Sequence, residues 1–262
     1  MRIATFNVNG IKARLPRLLE WLEETKPDIA CLQELKSVTE NVPVADLQDA
    51  GYHALVHGQK GFNGVAILSR EPAELVMAGL PGEDGLEDGK DDHARYIEAD
   101  VSGLRVASIY LPNGNPVPGA KFDYKLRWMD RLRERVAHLW DAEVPTVLTG
   151  DFNVAPEPRD VFSVRAMAGD ALTQPESRAA WRSILSQGWL EALRAVHPHD
   201  EELYTFWDYQ AGAWPRNAGI RIDHHLLSPT IADRLLDAQV DKEYRGREKA
   251  SDHAPVWIEI AD

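Results

Sequence analysis

Cysteine is almost missing from this chain: Cys31 stands alone among 262 residues, which excludes an intrachain disulfide and fits a reducing compartment. Long apolar runs are missing too, none approaching the ~20 residues that a membrane span needs. The opening Met1-Arg2-Ile3-Ala4-Thr5-Phe6-Asn7 turns polar too soon for a signal peptide, so we expect a cytoplasmic protein that begins directly with structure. No Gly/Ser linker and no repeat divides the sequence, and residues 1–262 are read as a single domain. Positive charge is scarce, with 29 Lys+Arg against 42 Asp+Glu for a net charge of −13. Such a balance repels a polyanion at long range unless the basic side chains gather on one face. Acid is locally concentrated in the run from Glu83 to Asp92, read as a solvated loop because it lacks the alternating ligands of a calcium-binding loop. Motifs for a nucleophilic serine, a phosphate-cradling loop or a dinucleotide are all absent.

What is present is an ordinary globular composition, 44% hydrophobic, with aromatic residues spread from Phe6 to Trp257, and this excludes disorder as the dominant state. Short apolar runs alternate with helical patterns. Ile3 to Phe6, Ile29 to Leu32, Tyr96 to Val101, Arg105 to Tyr110, Thr146 to Thr149, Leu226-Leu227 and Val256 to Ile258 read as strands. Tyr52 to Val56 and Val65 to Leu68 form a hairpin around a glycine-rich loop. Leu15, Leu18, Leu19 and Leu22 mark an amphipathic helix with Pro16 in its first turn. A second helix carries Phe122, Leu126, Met129, Leu132, Val136 and Leu139, and Trp181, Ile184 and Leu185 suit a short third. Cys31 belongs to the core. Strands so arranged do not fit one simple βα repeat.

The polar residues fall at strand ends. Asn7 follows the first strand, Glu34 the second, Tyr110 the run from Val106, and Asp151 and Asn153 the run from Thr146, while Asp223 and Asp252-His253 precede the last two. Sites in α/β sheets collect at such ends, where the backbone is rigid and side chains reach solvent. Singly, Gly150-Asp151-Phe152-Asn153 also fits an Asx turn and Ser251-Asp252-His253-Ala254-Pro255 an exposed loop. Together they offer carboxylates, amides, a phenol and an imidazole, and hard oxygen donors such as Glu34 favour Mg²⁺ or Mn²⁺ over Zn²⁺. His224 and His225 point to opposite faces of a strand, so they do not share a metal and are read as surface or packing residues.

In this order, Phe6-Asn7-Val8-Asn9-Gly10, Leu32-Gln33-Glu34-Leu35-Lys36, Gly58-Gln59-Lys60-Gly61, Tyr110-Leu111-Pro112-Asn113, Gly150-Asp151-Phe152-Asn153, Arg221-Ile222-Asp223 and Ser251-Asp252-His253-Ala254-Pro255 resemble the exonuclease III-type abasic-site endonucleases of the endonuclease/exonuclease/phosphatase superfamily. The resemblance covers essentially the whole chain. It implies a four-layer α/β sandwich, two mixed β-sheets packed face to face with helices on the outside. It also implies a Mg²⁺-dependent DNA-repair phosphodiesterase that cuts 5′ to an abasic site and leaves a 3′-hydroxyl, with 3′→5′ exonuclease and 3′-phosphatase activities and Mn²⁺ as a substitute metal. Glu34 is then the principal metal carboxylate, with Asn7, Asp151, Asn153, Asp252 and His253 around the metal. Asp151 activates the attacking water, Asn153 positions it, Tyr110 hydrogen-bonds the phosphate, and His253, held by Asp223, stabilises the pentacovalent phosphorus.

By the same resemblance Phe206, Ile220 and Ile222 line a pocket for an extruded baseless sugar, and Lys36, Lys60, Asn113, Lys121 and Arg221 contact phosphates. Trp207 is read as core and Trp214 as facing DNA. The loop from Leu111 to Ala120 carries no Arg or Lys, so no basic wedge enters the duplex from it. The partner implied is double-stranded DNA with abasic sites or 3′ ends, bound by a monomer. Two other readings stand beside this one: another phosphoesterase of the superfamily, acting on lipid or inositol phosphates, and a non-catalytic nucleic-acid-binding relative.

Overall fold

Alternate residues of the first strand enter different cores: Ile3 joins one buried cluster, Ala4 and Phe6 another. That period of two, repeated along the chain, builds a layered molecule. The structure, a computed structural model, describes residues 1–82 and 92–261, so the acidic run lies outside the described residues apart from Asp92. In chain order the elements are β1 (Arg2–Asn7), α1 (Ile11–Thr25), β2 (Ile29–Gln33), α2 (Val44–Asp49), β3 (His53–His57), β4 (Val65–Ser69), β5 (Ala73–Ala78), β6 (Tyr96–Val101), β7 (Leu104–Tyr110), α3 (Ala120–Asp141), β8 (Thr146–Asp151), α4 (Pro175–Leu185), β9 (Leu190–Glu191), α5 (Ala192–Val196), β10 (Asp223–Leu227), β11 (Leu235–Val240) and β12 (Val256–Ile260).

Among the described residues the strands form two six-stranded sheets, ordered β11-β12-β1-β2-β4-β3 and β5-β6-β7-β8-β10-β9. Each contains one parallel pair, β1 with β2 and β7 with β8, among antiparallel neighbours, which makes both sheets mixed. The parallel pairs are joined by the two long helices, α1 and α3, as a crossover requires. Between the sheets lie Ile3, Ile29, Cys31, Val65 and Ile67 from one and Ile97, Val106, Val147 and Leu227 from the other. Outside the first sheet α1 packs Leu18, Trp21 and Leu22 on Phe6 and Leu32. Outside the second, α3 and α4 pack Trp128, Leu132, Trp181 and Ile184 on Ile109 and Leu148. The resulting helix–sheet–sheet–helix stack is the expected four-layer sandwich.

Most elements extend their sequence-based expectation by a residue or two. The β6–β7 hairpin closes through Ser102 and Gly103, both with positive φ, the conformation a two-residue turn between twisted strands favours. Several details differ, and the short elements α2, β9 and α5 have no counterpart among the expected ones. Pro16 sits in the second turn of α1, because the helix begins at Ile11. β5 and β11 were not apparent in the sequence. Both are edge strands whose residues are mostly half-buried or exposed, so neither shows an apolar run. His224 and His225 are fully buried rather than at the surface.

Candidate active site

Both parallel pairs end at one mouth of the sandwich. Asn7 closes β1, Tyr110 closes β7 and Asp151 closes β8, all facing the layer between the sheets. Beneath them Thr5 Oγ1 donates to Gln33 Oε1 at 3.0 Å, Gln33 Nε2 donates to Ser108 Oγ at 3.0 Å, and Ser108 Oγ donates to the Leu32 carbonyl at 3.1 Å. This buried polar rung ties the two sheets together directly under the site. Gly150 lets β8 approach β7: a Cβ there would lie 1.9 Å from the Ile109 carbonyl oxygen. Glu34 and Asn153, just past β2 and β8, have φ of 51° and 48°, a region that costs a non-glycine residue about 1–2 kcal/mol. Gly10 N–H donating to the Glu34 carbonyl at 2.8 Å and Asn153 N–H donating to Asp151 Oδ1 at 3.0 Å hold these turns.

Glu34, Asp151 and His253 bring ligand-capable atoms within 4.8 Å of one another. Asn7 Nδ2 lies between the two carboxylates, donating to Glu34 Oε1 and Asp151 Oδ2 at 3.0 Å each. Lys36 Nζ is 3.0 Å from Glu34 Oε2. Asn9 Nδ2 donates to Asp252 Oδ1 at 2.9 Å, so Asp252 flanks the cluster. Asp223 Oδ2 is 2.8 Å from His253 Nδ1, and His253 Nε2 is 3.8 Å from Asp151 Oδ2.

The charges follow from these contacts. Burial raises the Glu34 pKa, but the Asn7 hydrogen bond and the Lys36 and His253 charges outweigh it and leave the pKa lowered. Burial raises Asp151 to about 7; His253 opposes the shift, while Asp223 and Glu34 add to it. Burial would depress His253, but the Asp223 charge and hydrogen bond, then Asp151 and Asp252, raise it to about 10. Tyr110 is pushed up by burial and by Glu34 and Asp151, so its phenol stays protonated and able to donate.

A cavity of about 540 Å³ opens beside these groups, lined on the polar side by Glu34, Tyr110, Asn113, Asp151, Asn153, Asp252 and His253. Its apolar side holds Phe206, Ile220 and Ile222, as the sequence suggested, joined by Phe162, Met167 and Leu172. Lys36 stands at Glu34, whereas Lys60 and Lys121 are exposed and do not line the cavity. Arg221 is a correction. It is 1% exposed, with Nε and Nη2 on the two oxygens of Asp160 at 2.8 and 3.1 Å and Nη1 3.0 Å from Glu191 Oε1. A guanidinium so enclosed cannot meet a phosphate; it braces the backbone that carries Ile220 and Ile222. Trp207 is core, and Trp214 is half-buried, packing edge-on against it with ring centroids 5.1 Å apart.

The profile of the Endonuclease/Exonuclease/phosphatase family matches residues 4–253. The chain belongs to this family. It is 31% identical over 271 residues to exodeoxyribonuclease III of Haemophilus influenzae, an alignment covering 99% of this chain and 100% of that one. Among solved structures, an AP endonuclease from Archaeoglobus fulgidus superposes with a TM-score of 0.92 at 40% identity, covering all of both chains. The 3′ phosphatase NExo from Neisseria, bound to a product DNA hairpin, does so with a TM-score of 0.94 at 39% identity, again covering all of both chains.

Several groups at this family site were not apparent in the sequence. Asn9 was visible only as part of a motif, and its bridge to Asp252 crosses 243 positions. Arg216 and Met167 line the cavity from loops without periodicity. Lys125 did leave a signal: three residues after Phe122 and four before Met129, a lysine interrupts the apolar stripe of α3.

Proposed function

We propose that this enzyme hydrolyses DNA phosphodiesters, cutting 5′ to abasic sites and removing nucleotides or phosphate from 3′ ends. The convergence of Glu34, Asp151 and His253 within 4.8 Å, with Asp223 behind the imidazole, carries this reading. All three activities break one bond type, P–O3′, and leave a 3′-hydroxyl, so a single site serves them. The donor set fits a hard divalent cation, because Glu34 and Asp151 offer carboxylate oxygens in a buried setting. His253, raised to about 10 with Nδ1 on Asp223, carries a proton on Nε2 and is given the donor's role, not the ligand's. Mg²⁺ held by Glu34 and Asp151 would neutralise charge on the phosphate.

The remaining chemistry belongs to side chains. Asp151, brought to about 7 by burial and lowered from there by a bound cation, takes the proton of the attacking water as a carboxylate at neutral pH. The His253 Nε2–H and the Tyr110 hydroxyl stabilise the negative charge that gathers on the phosphoryl oxygens. Asn113 and Asn153, joined by a 3.0 Å hydrogen bond, border the water's side of the cavity. Phe206, Ile220 and Ile222 accept a sugar without its base more readily than a full nucleotide.

One labelled duplex tests the reading, prepared with and without an abasic site and with a 3′-phosphate end, in Mg²⁺ and in EDTA. Incision at the abasic site and release of phosphate, both abolished by EDTA, are expected. An intact duplex in Mg²⁺ overturns the proposal.

A further inference from the structure

Lys125 lies on the inner face of α3 with no surface exposed. Its Nζ donates to three backbone carbonyls: Asn153 at 2.6 Å, Asn113 at 3.0 Å and Ala171 at 3.5 Å. An ammonium has three hydrogens to donate and no lone pair, so three carbonyls match it in number. The carbonyls come from three separate stretches, the loop after β7, the turn after β8 and the segment before α4. All three stretches contribute to the cavity wall through Asn113, Asn153 and Asp170.

The loop after β7 is shaped around this lysine. Gly114 has φ of 93°, and a Cβ on it would lie 2.7 Å from Lys125 Cδ and 3.2 Å from Ala171 Cβ, so only a glycine lets the loop close over the stem. Asn113 Nδ2 then donates to Asn153 Oδ1 at 3.0 Å, Asn153 Nδ2 donates to the Leu111 carbonyl at 2.9 Å, and Asn115 Nδ2 donates to Asp170 Oδ1 at 3.1 Å. These bonds link the loops in pairs, while Lys125 touches all three. Burying an ammonium is costly. Burial pulls the Lys125 pKa down to about 7, with the charges of Asp170 and Asp151 opposing the shift. A methionine would fill the same volume without that cost, so packing alone does not account for a lysine here.

We propose that Lys125 is a positioning residue: by clamping the carbonyls of Asn113, Asn153 and Ala171 to α3, it fixes the left-handed turn at Asn153 and the Asn113–Asn153 pair in the geometry the phosphate chemistry needs. The kinetic consequence rests on the phosphodiesterase reading above; the structural one does not.

Lys125→Met tests both. A displacement of about 1 Å at a reacting group lowers turnover about 100-fold. The expected result is a kcat reduced by that order, with the Kd for abasic duplex in Ca²⁺ changed less than about threefold and no fall in Tm. A crystal structure of the variant should show Asn113 and Asn153 displaced. Wild-type kcat in the variant, or the three carbonyls in unchanged positions, overturns the proposal. Should Lys125→Met fail to fold, Gly114→Ala presses a methyl group on the lysine stem while keeping its charge; the same split is expected, and unaltered turnover again overturns the idea. An inactive wild-type enzyme counts against the phosphodiesterase reading alone, and loops left in place count against Lys125 alone.

Discussion

Asp151 and Asp223 face each other across one rung of the antiparallel β8–β10 ladder, and His253 bonds to one and approaches the other, 2.8 Å from Asp223 and 3.8 Å from Asp151. Like charges on opposed strand positions destabilise a sheet. Here an imidazolium relieves them, and both groups move upwards together: the Asp151 carboxyl rises from 3.8 to about 7 and the His253 imidazole from 6.5 to about 10. A base poised at neutral pH beside a cation that persists well above it is what hydrolysis of an anionic ester asks for.

Asp223→Asn should therefore move both limbs of the pH–rate profile downwards. It removes the charge that holds His253 protonated, and also one of the charges that raise Asp151. Turnover is expected to fall by on the order of 100-fold with DNA affinity little changed. If the variant loses affinity and keeps its turnover and pH profile, Asp223 serves the DNA footprint instead.

Glu34→Gln keeps the shape of the side chain and removes the charge a hard cation needs. Mn²⁺ affinity measured by calorimetry should weaken by more than about 10-fold, and activity should recover in part at high Mg²⁺. Unchanged metal affinity would move the metal away from Glu34.

How far the sequence carried depends on how local each signal is. Asn7, Tyr110, Asp151 and Asp223 were legible because each ends or opens an apolar run, and strand parity turns all four into the layer between the sheets. Phe206 and Ile220 were legible through the family motifs, although the β-bridge that pairs them was not. Arg221 misled because its sequence neighbours say nothing of Asp160, 61 positions earlier, and a conspicuous arginine beside a site motif invites a phosphate. Lys125 hid among the charges of α3, where only its phase against Phe122 and Met129 betrays burial. The edge strands β5 and β11 gave no pattern because solvent takes much of each.

Removing Arg221 from the DNA contacts changes the expected salt dependence. Each phosphate neutralised by Lys36, Lys60 or Lys121 adds about 0.9 to the negative log–log slope of affinity against salt. Lys60→Ala should make the slope shallower by about one unit. Arg221→Met should leave the slope unchanged and cost about 3 kcal/mol of stability, since Glu191 loses its buried guanidinium and Asp160 keeps only Arg194. A slope that shifts with Arg221→Met while Tm holds would return that residue to the interface.

His225 faces the inter-sheet layer two residues along β10 from Asp223. It is fully buried, and neither ring nitrogen has a well-formed hydrogen bond. Burial depresses its pKa from 6.5 to about 3, so the ring is neutral in the fold and takes a proton more readily in the unfolded chain. The contribution to stability is thus complete above pH 6.5 and is lost as pH falls towards 3, at up to about 1.4 kcal/mol per pH unit. His253 does not offset this limb, because a raised imidazole pKa stabilises the fold most below 6.5 and loses that effect as pH rises towards 10. Asp151, raised from 3.8 to about 7, offsets it equally in wild type and variant, so the difference between the two proteins reads His225. His225→Leu removes the titratable imidazole and keeps a buried side chain in its place. The variant should match or exceed wild-type stability at pH 8 and lose less of it between pH 6.5 and 4 in urea titrations. Equal acid sensitivity in the two proteins would show that His225 titrates normally in the fold.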